Sequence, residues 1–162
     1  MEAKIYDLEL NKNQNPYLKE TGIFDYSEKE MQLISPELFY KIINDTFHLS
    51  NCAEENSYVI GLNAKMMPLG FFHISKGSIN MATISIRSIM IRMLLCGAVN
   101  MVIIHNHPSN VTTPSNEDLL VTQRLITGGR MMEIDLQDHI IIGRDNYHSI
   151  RESNPELFFR KN

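Results

Sequence analysis

The run from Val99 to Ile104 and the way it stops constrain this chain more than anything else in it. β-Branched and apolar side chains dominate the run, as in a strand packed on both faces. It gives way to His105-Asn106-His107-Pro108. In an extended chain side chains alternate, so His105 and His107 point one way and Asn106 the other. Pro108 has no N–H to continue the ladder and biases His107 towards an extended backbone. A buried strand therefore delivers two imidazoles to one side of its end, a pincer for a divalent metal. Asp118, eleven residues after His107, can supply a third donor.

The flanking segments predict an α/β domain. Ser35-Pro36-Glu37 has a capping serine, a proline suited to the first helical position and an acid suited to the positive helix end. Leu38, Phe39, Ile42, Ile43 and Phe47 follow at helical spacing as far as His48, with Phe47 and His48 read as packing or surface residues. Residues 58–63 and 68–74 read as a hairpin turning at Ala64-Lys65, followed by a glycine-containing loop at 75–80. A buried helix is predicted over 85–96, with Gly97 at its C-terminal cap. A second helix runs from about Pro114 to Thr127, ended by Gly128-Gly129. A strand at 139–143 and a short partner at 147–150 follow. Such alternation favours helices layered on a mixed sheet.

The ends of the chain say less. Residues 1–33 read as a leader, 34–152 as the domain and 153–162 as a tail. In the leader, Ile5, Leu8 and Leu10 suggest a short strand, residues 11–16 a polar break, and the stretch after it an irregular segment. In the tail, Leu157, Phe158 and Phe159 can dock on the domain or on a partner, a hint of a homodimer.

Composition removes several classes of function. With 15 Lys and Arg against 19 Asp and Glu, the net charge of −4 gives no basic footprint, so a nucleic-acid partner is possible through a local patch but not favoured. Cys52 and Cys96 are the two cysteines, far apart and outside any Cys-x-x-Cys pair, which argues against a disulfide framework or a cysteine zinc knuckle. A nucleobase deaminase needs His-x-Glu and Pro-Cys-x-x-Cys, and these cysteines cannot supply the latter. The N-terminus lacks the features of a signal peptide, and no apolar run reaches the roughly 20 residues that span a bilayer. The expectation is a cytoplasmic protein with no membrane association.

Metal chemistry fits the central block. A catalytic zinc site takes three protein ligands and keeps one position open. His105, His107 and Asp118 would give two nitrogens and an oxygen; a hydrolase would also need a carboxylate base and a donor for the oxyanion, which a serine hydroxyl can supply. Ser115-Asn116-Glu117-Asp118 also fits the looser form of a helix capping box. The two readings are compatible, since a helix start can fix the rotamer of an acid that binds metal. His73 and His148 read as structural; so does His139, with an outer role at the site as the alternative.

The spacing His-x-His-x(7)-Ser-x-x-Asp over His105, His107, Ser115 and Asp118 resembles the signature of the JAMM/MPN metalloprotein superfamily. Residues 105–109, 113–118, 58–63, 77–80 and 138–143 together resemble its RadC-like branch. The resemblance covers roughly residues 34–150. It implies a JAB/MPN fold, a mixed sheet flanked by helices and related to the cytidine-deaminase architecture. It further implies zinc held by His105, His107 and Asp118, with Ser115 assisting water and oxyanion, in a metallopeptidase-like hydrolase of amide or isopeptide bonds in a peptide or protein. The family's glutamate precedes the first hairpin strand. Glu54 and Glu55 are the candidates, and the strand alignment selects Glu55, whereas alternation alone does not decide because both strand faces look buried. Residues 83–88 and Asn110 depart from the family pattern and would alter the pocket rim. The segment before the domain is too short for the helix-hairpin-helix DNA-binding region of larger RadC-like proteins, which weakens a DNA-repair or mobile-DNA role. A metal-bound scaffold without catalysis is the remaining alternative.

Overall fold

The computed structural model describes residues 2–26, 35–77 and 84–159. Its strands are β1 (Glu2–Leu10), β2 (Pro16–Asp25), β3 (Asn56–Leu62), β4 (Pro68–Lys76), β5 (Asn100–Asn106), β6 (Asp135–Ile142) and β7 (Tyr147–Ser149). Its α-helices are α1 (Pro36–Phe47), α2 (Ile86–Cys96), α3 (Asn116–Met131) and α4 (Ile150–Ser153). The strands form one seven-stranded sheet in the order β2-β1-β4-β3-β5-β6-β7. It is mixed: β1 runs parallel to β4 and β5 parallel to β6, while the other neighbours are antiparallel. This is the mixed α/β architecture expected of a JAB/MPN-type domain. Among the described residues no helix is long and apolar enough to cross a membrane.

The period of two in β5 divides the interior. Val102 and Ile104 face a cluster that includes Phe39, Ile42 and Ile43 of α1. Met101 and Ile103 face the other cluster, with Ile89, Met90 and Met93 of α2 and Val121 and Leu125 of α3. Residues 101–106 are all buried. Each fully buried large apolar side chain contributes ~1.5–3 kcal/mol relative to exposure. His105 thus belongs to the α2/α3 face and Asn106 to the α1 face.

Several segments differ from the sequence reading, among them β6, which begins at Asp135 rather than at His139. Residues 16–25, expected to be irregular, form β2, a ten-residue edge strand paired along its length with β1. Strand β5 continues through His105 and Asn106, past the expected end at Ile104. Helix α3 does not stop at Gly128-Gly129 but runs to Met131. These glycines serve close approach. A Cβ on Gly128 would lie 2.8 Å from Ile86 Cγ2, and one on Gly129 would collide with the Ile134 carbonyl oxygen. The loop expected at 75–80 is described only to Gly77, where β4 has run to Lys76; its remainder, with Thr83 of the divergent stretch, lies outside the described residues. In the tail, Leu157 and Phe158 pack against the α2/α3 cluster, and Arg130 donates to the carbonyls of Phe158 (2.9 Å) and Phe159 (3.0 Å).

Candidate metal centre

Three elements converge at the end of β5. His105 is its penultimate residue and fully buried. His107 follows the strand, and its N–H donates to Ile142 O of β6 at 2.8 Å. Asp118 occupies the third position of α3, one turn after Ser115. The capping box is complete. The Asp118 N–H donates to Ser115 Oγ (3.1 Å), while Asp118 Oδ2 accepts from the Ser115 N–H (2.8 Å) and hydroxyl (2.7 Å). The cap aims the rest of the carboxylate at the imidazoles: Oδ1 lies 3.3 Å from His105 Nε2, and Oδ2 lies 3.6 Å from His107 Nε2. The two Nε2 atoms are 3.0 Å apart.

The remaining hydrogen bonds fix which ring nitrogens carry protons. Thr122, one turn after Asp118, donates its hydroxyl to Asp118 O at 2.7 Å. A hydroxyl has one proton, so toward His139 Nδ1, at 2.7 Å, Thr122 Oγ1 is the acceptor. His139 Nδ1 is then protonated, its Nε2 is bare, and it accepts from His105 Nδ1–H at 2.9 Å. His107 Nδ1–H donates to Val111 O at 2.6 Å. Both Nε2 atoms that face Asp118 are therefore lone pairs in the neutral rings. Two lone pairs and a carboxylate converge, an arrangement that can hold a cation.

Electrostatics agrees. Burial depresses His105, against the opposing pull of Asp118. Burial, reinforced by the neighbouring His105, depresses His139 further. The hydrogen bond to Asp118 raises His107 despite partial burial. Burial by itself would raise Asp118, but the imidazoles of His105 and His107, which donate to it only when protonated at Nε2, and the Ser115 hydroxyl hold its carboxyl below the usual range.

The donors fit a metal. Zinc with ligand bonds of 2.0–2.1 Å in tetrahedral geometry spaces its ligands about 3.3 Å apart; here the two Nε2 atoms are 3.0 Å apart, and each has one Asp118 oxygen at a comparable distance, Oδ1 at 3.3 Å from His105 and Oδ2 at 3.6 Å from His107. An overlapping, fully buried group, His105, Asp118 and His139, also brings one ligand atom from each within 4.8 Å and can hold a metal ion. The two triads differ in the third donor. In the present geometry both nitrogens of His139 are engaged, whereas His107 Nε2 faces the other donors.

The two glutamates separate. Glu54 points outward and pairs with Lys76 at 2.6 Å. Glu55 shares the parity of Ser57 and Val59, whose side of β3 meets the α2/α3 cluster. Ser57 lies opposite His105 in the antiparallel register, and Glu55 immediately precedes β3. The charge of Glu55 acts on both imidazoles. Thr122 went unnoticed in the sequence; its i+4 relation to Asp118 on a helix was the available signal. Asp138 anchors the neighbourhood of His139. It accepts from the His139 N–H (2.7 Å), the Arg151 N–H (3.0 Å) and the Ser149 hydroxyl (2.6 Å). His73 and His148 hydrogen-bond elsewhere, to Asn56 and Ser153.

Comparison with known proteins agrees with this geometry. The RadC-like JAB domain family matches residues 33–155. A UPF0758 protein of Clostridium novyi (strain NT) is 43% identical over 101 residues, 62% of this chain and 44% of that protein. A UPF0758 protein of Clostridium botulinum (strain Alaska E43 / Type E3) is 34% identical over 129 residues, 80% of this chain and 56% of that protein. One from Methanosarcina acetivorans is 31% identical over 125 residues, 77% of this chain and 54% of that protein. The chain spans about half the length of the curated relatives it matches.

Proposed function

We propose, from the premise that the chain belongs to the RadC-like JAB domain family, that it is a zinc-dependent hydrolase of the metallopeptidase type, cleaving an amide or isopeptide bond in a peptide or protein. The observation that carries this reading is the convergence of the His105 and His107 Nε2 lone pairs with the Asp118 carboxylate, under a hydrogen-bond relay that keeps the rings in the ligating tautomer. His105, His107 and Asp118 are the proposed ligands, and His139 orients His105. Bound there, zinc supplies a Lewis acid that polarises a carbonyl and acidifies water.

The chain supplies the rest. Glu55, on the histidine side of the sheet, takes a proton from the attacking water and passes it to the leaving amine. The Ser115 N–H keeps Asp118 in its ligating rotamer, and the Ser115 hydroxyl, turned from Asp118 Oδ2, is the nearby donor for the oxyanion.

Zinc-loaded protein and its Glu55→Gln variant are to be assayed against a fluorogenic library containing peptide and lysine-isopeptide bonds. The expected result is cleavage by the parent and none by a variant that keeps its zinc. Cleavage retained in Glu55→Gln would remove the assignment of the base, and no cleavage by zinc-loaded parent would remove the hydrolase reading.

A further inference from the structure

We infer that Asn106 is the positioning residue for Glu55, fixing the backbone that carries the proposed base through the face of β5 opposite the metal ligands. The inference rests on the role proposed for Glu55. Asn106 is 1% exposed, and its side chain turns away from His105 and His107. Its side-chain bonds go to residues 52–56, the segment that leads into β3. Oδ1 accepts from the Asn56 N–H at 2.7 Å, and Nδ2 donates to Glu54 O at 3.2 Å and Cys52 O at 3.3 Å.

These bonds bracket Glu55. Asn106 grips the carbonyl before it and the N–H after it. From the neighbouring strand end the Gly77 N–H donates to Glu55 O itself at 2.8 Å. Three polar groups on adjacent peptides are thus pinned. The two faces of one strand end divide the work: His105 and His107 present ligands on one side, while Asn106 fixes the approach of the base from the other. The residue type follows from the bonds. The site needs an acceptor and two donors in one short planar group, and burial keeps water from replacing them. Aspartate lacks the donors, and leucine lacks both functions.

The test uses cobalt(II) as the metal probe, with Asn106→Leu and the milder Asn106→Ser, which serves alone if the leucine variant does not fold. In the parent, cobalt should strongly enhance relaxation of the Glu55 side-chain carboxyl carbon. In both variants cobalt stoichiometry should be unchanged, that enhancement should weaken, and the Asn56 amide should exchange about tenfold faster, as expected for one lost buried hydrogen bond. For the best-cleaved library peptide, kcat should fall about 10–100-fold with KM unchanged, the scale of a misplaced catalytic group. Faster exchange with unchanged Glu55 relaxation would make Asn106 merely structural and overturn the inference. So would unchanged exchange in both variants. If the parent takes up no cobalt, the metal-hydrolase reading fails separately, and the chemical shift of the Glu55 side-chain carboxyl carbon decides: a change in both variants beside the faster exchange supports the inference, and an unchanged shift overturns it.

Discussion

Replacing Thr122 by Val tests the proton relay behind the metal centre at almost constant side-chain volume. The Thr122 hydroxyl accepts from His139 Nδ1–H at 2.7 Å in a fully buried setting. Valine leaves that N–H with no acceptor, a cost of ~1–3 kcal/mol if it stays buried and unpaired. The relay can escape the cost by reversing. His139 then carries its proton on Nε2, His105 accepts at Nδ1, and the His105 proton moves to Nε2, where it blocks the lone pair facing Asp118. Either route penalises the ligating state. Loss of an outer partner of this kind lowers metal affinity about 10–100-fold, or ~1.4–2.7 kcal/mol. Competition between the protein and a chromophoric chelator for zinc measures the change, and long-range proton–nitrogen NMR identifies the His105 and His139 tautomers. Thr122→Ser should bind zinc like the parent, because it retains the hydroxyl. Zinc affinity within threefold of the parent in Thr122→Val, with His139 still protonated at Nδ1, would refute the relay.

Other expectations follow from the same contacts. Gly129→Ala should destabilise the domain despite alanine's better helix propensity. Its Cβ meets the Ile134 carbonyl, and overpacking of ~1–3 kcal/mol outweighs a gain of at most ~1 kcal/mol; urea denaturation would show the midpoint fall, and a rise would contradict the close approach. Ser115→Ala should cost ~0.5–2 kcal/mol through loss of the α3 cap and should also weaken zinc binding by freeing Asp118; unchanged stability and affinity would contradict the coupling of cap to ligand. In the metal-free protein stability should peak near the ordinary histidine pKa. His105 and His139 are depressed in the fold, so below about pH 6.5 the unfolded chain binds protons that the folded one refuses, and stability falls by up to ~1.4 kcal/mol per pH unit for each. His107 is raised, so its contribution is complete below about pH 6.5 and is lost as pH climbs through its folded value. Denaturant midpoints from pH 5 to 8 check the shape, and a flat profile would contradict it.

Much of the site was legible because it is written locally. The β-branched run, the alternation of His105 and His107, and the Ser-x-x-Asp spacing are short-range signals, and the structure brings all four residues to one point. The choice between Glu54 and Glu55 was not local, since alternation gives relative facing only. Val59 packs against α2 and α3 and Ile60 against α1, which tells the faces of β3 apart; the role of base is the one proposed for Glu55. Gly128-Gly129 misled because glycine marks helix ends and close packing alike, and the partners that distinguish the two, Ile86 and Ile134, come from other segments. Strand β2 was hidden for a different reason. An edge strand buries few side chains, and Pro16, Lys19, Glu20 and Gly22 dilute its propensity. His139 was legible as a histidine before a strand, but its partner Thr122 becomes visible only once α3 is docked beside β6.

Zinc content by elemental mass spectrometry, compared between the parent and the His107→Ala and His139→Ala variants after reconstitution, tests the central claim most directly. The expected result is about one zinc per chain in the parent, none in His107→Ala, and a weakened but full site in His139→Ala at saturating metal. Zinc retained in His107→Ala and lost in His139→Ala would move the site to the His105, Asp118 and His139 group, and no zinc in the parent would contradict the metal centre altogether.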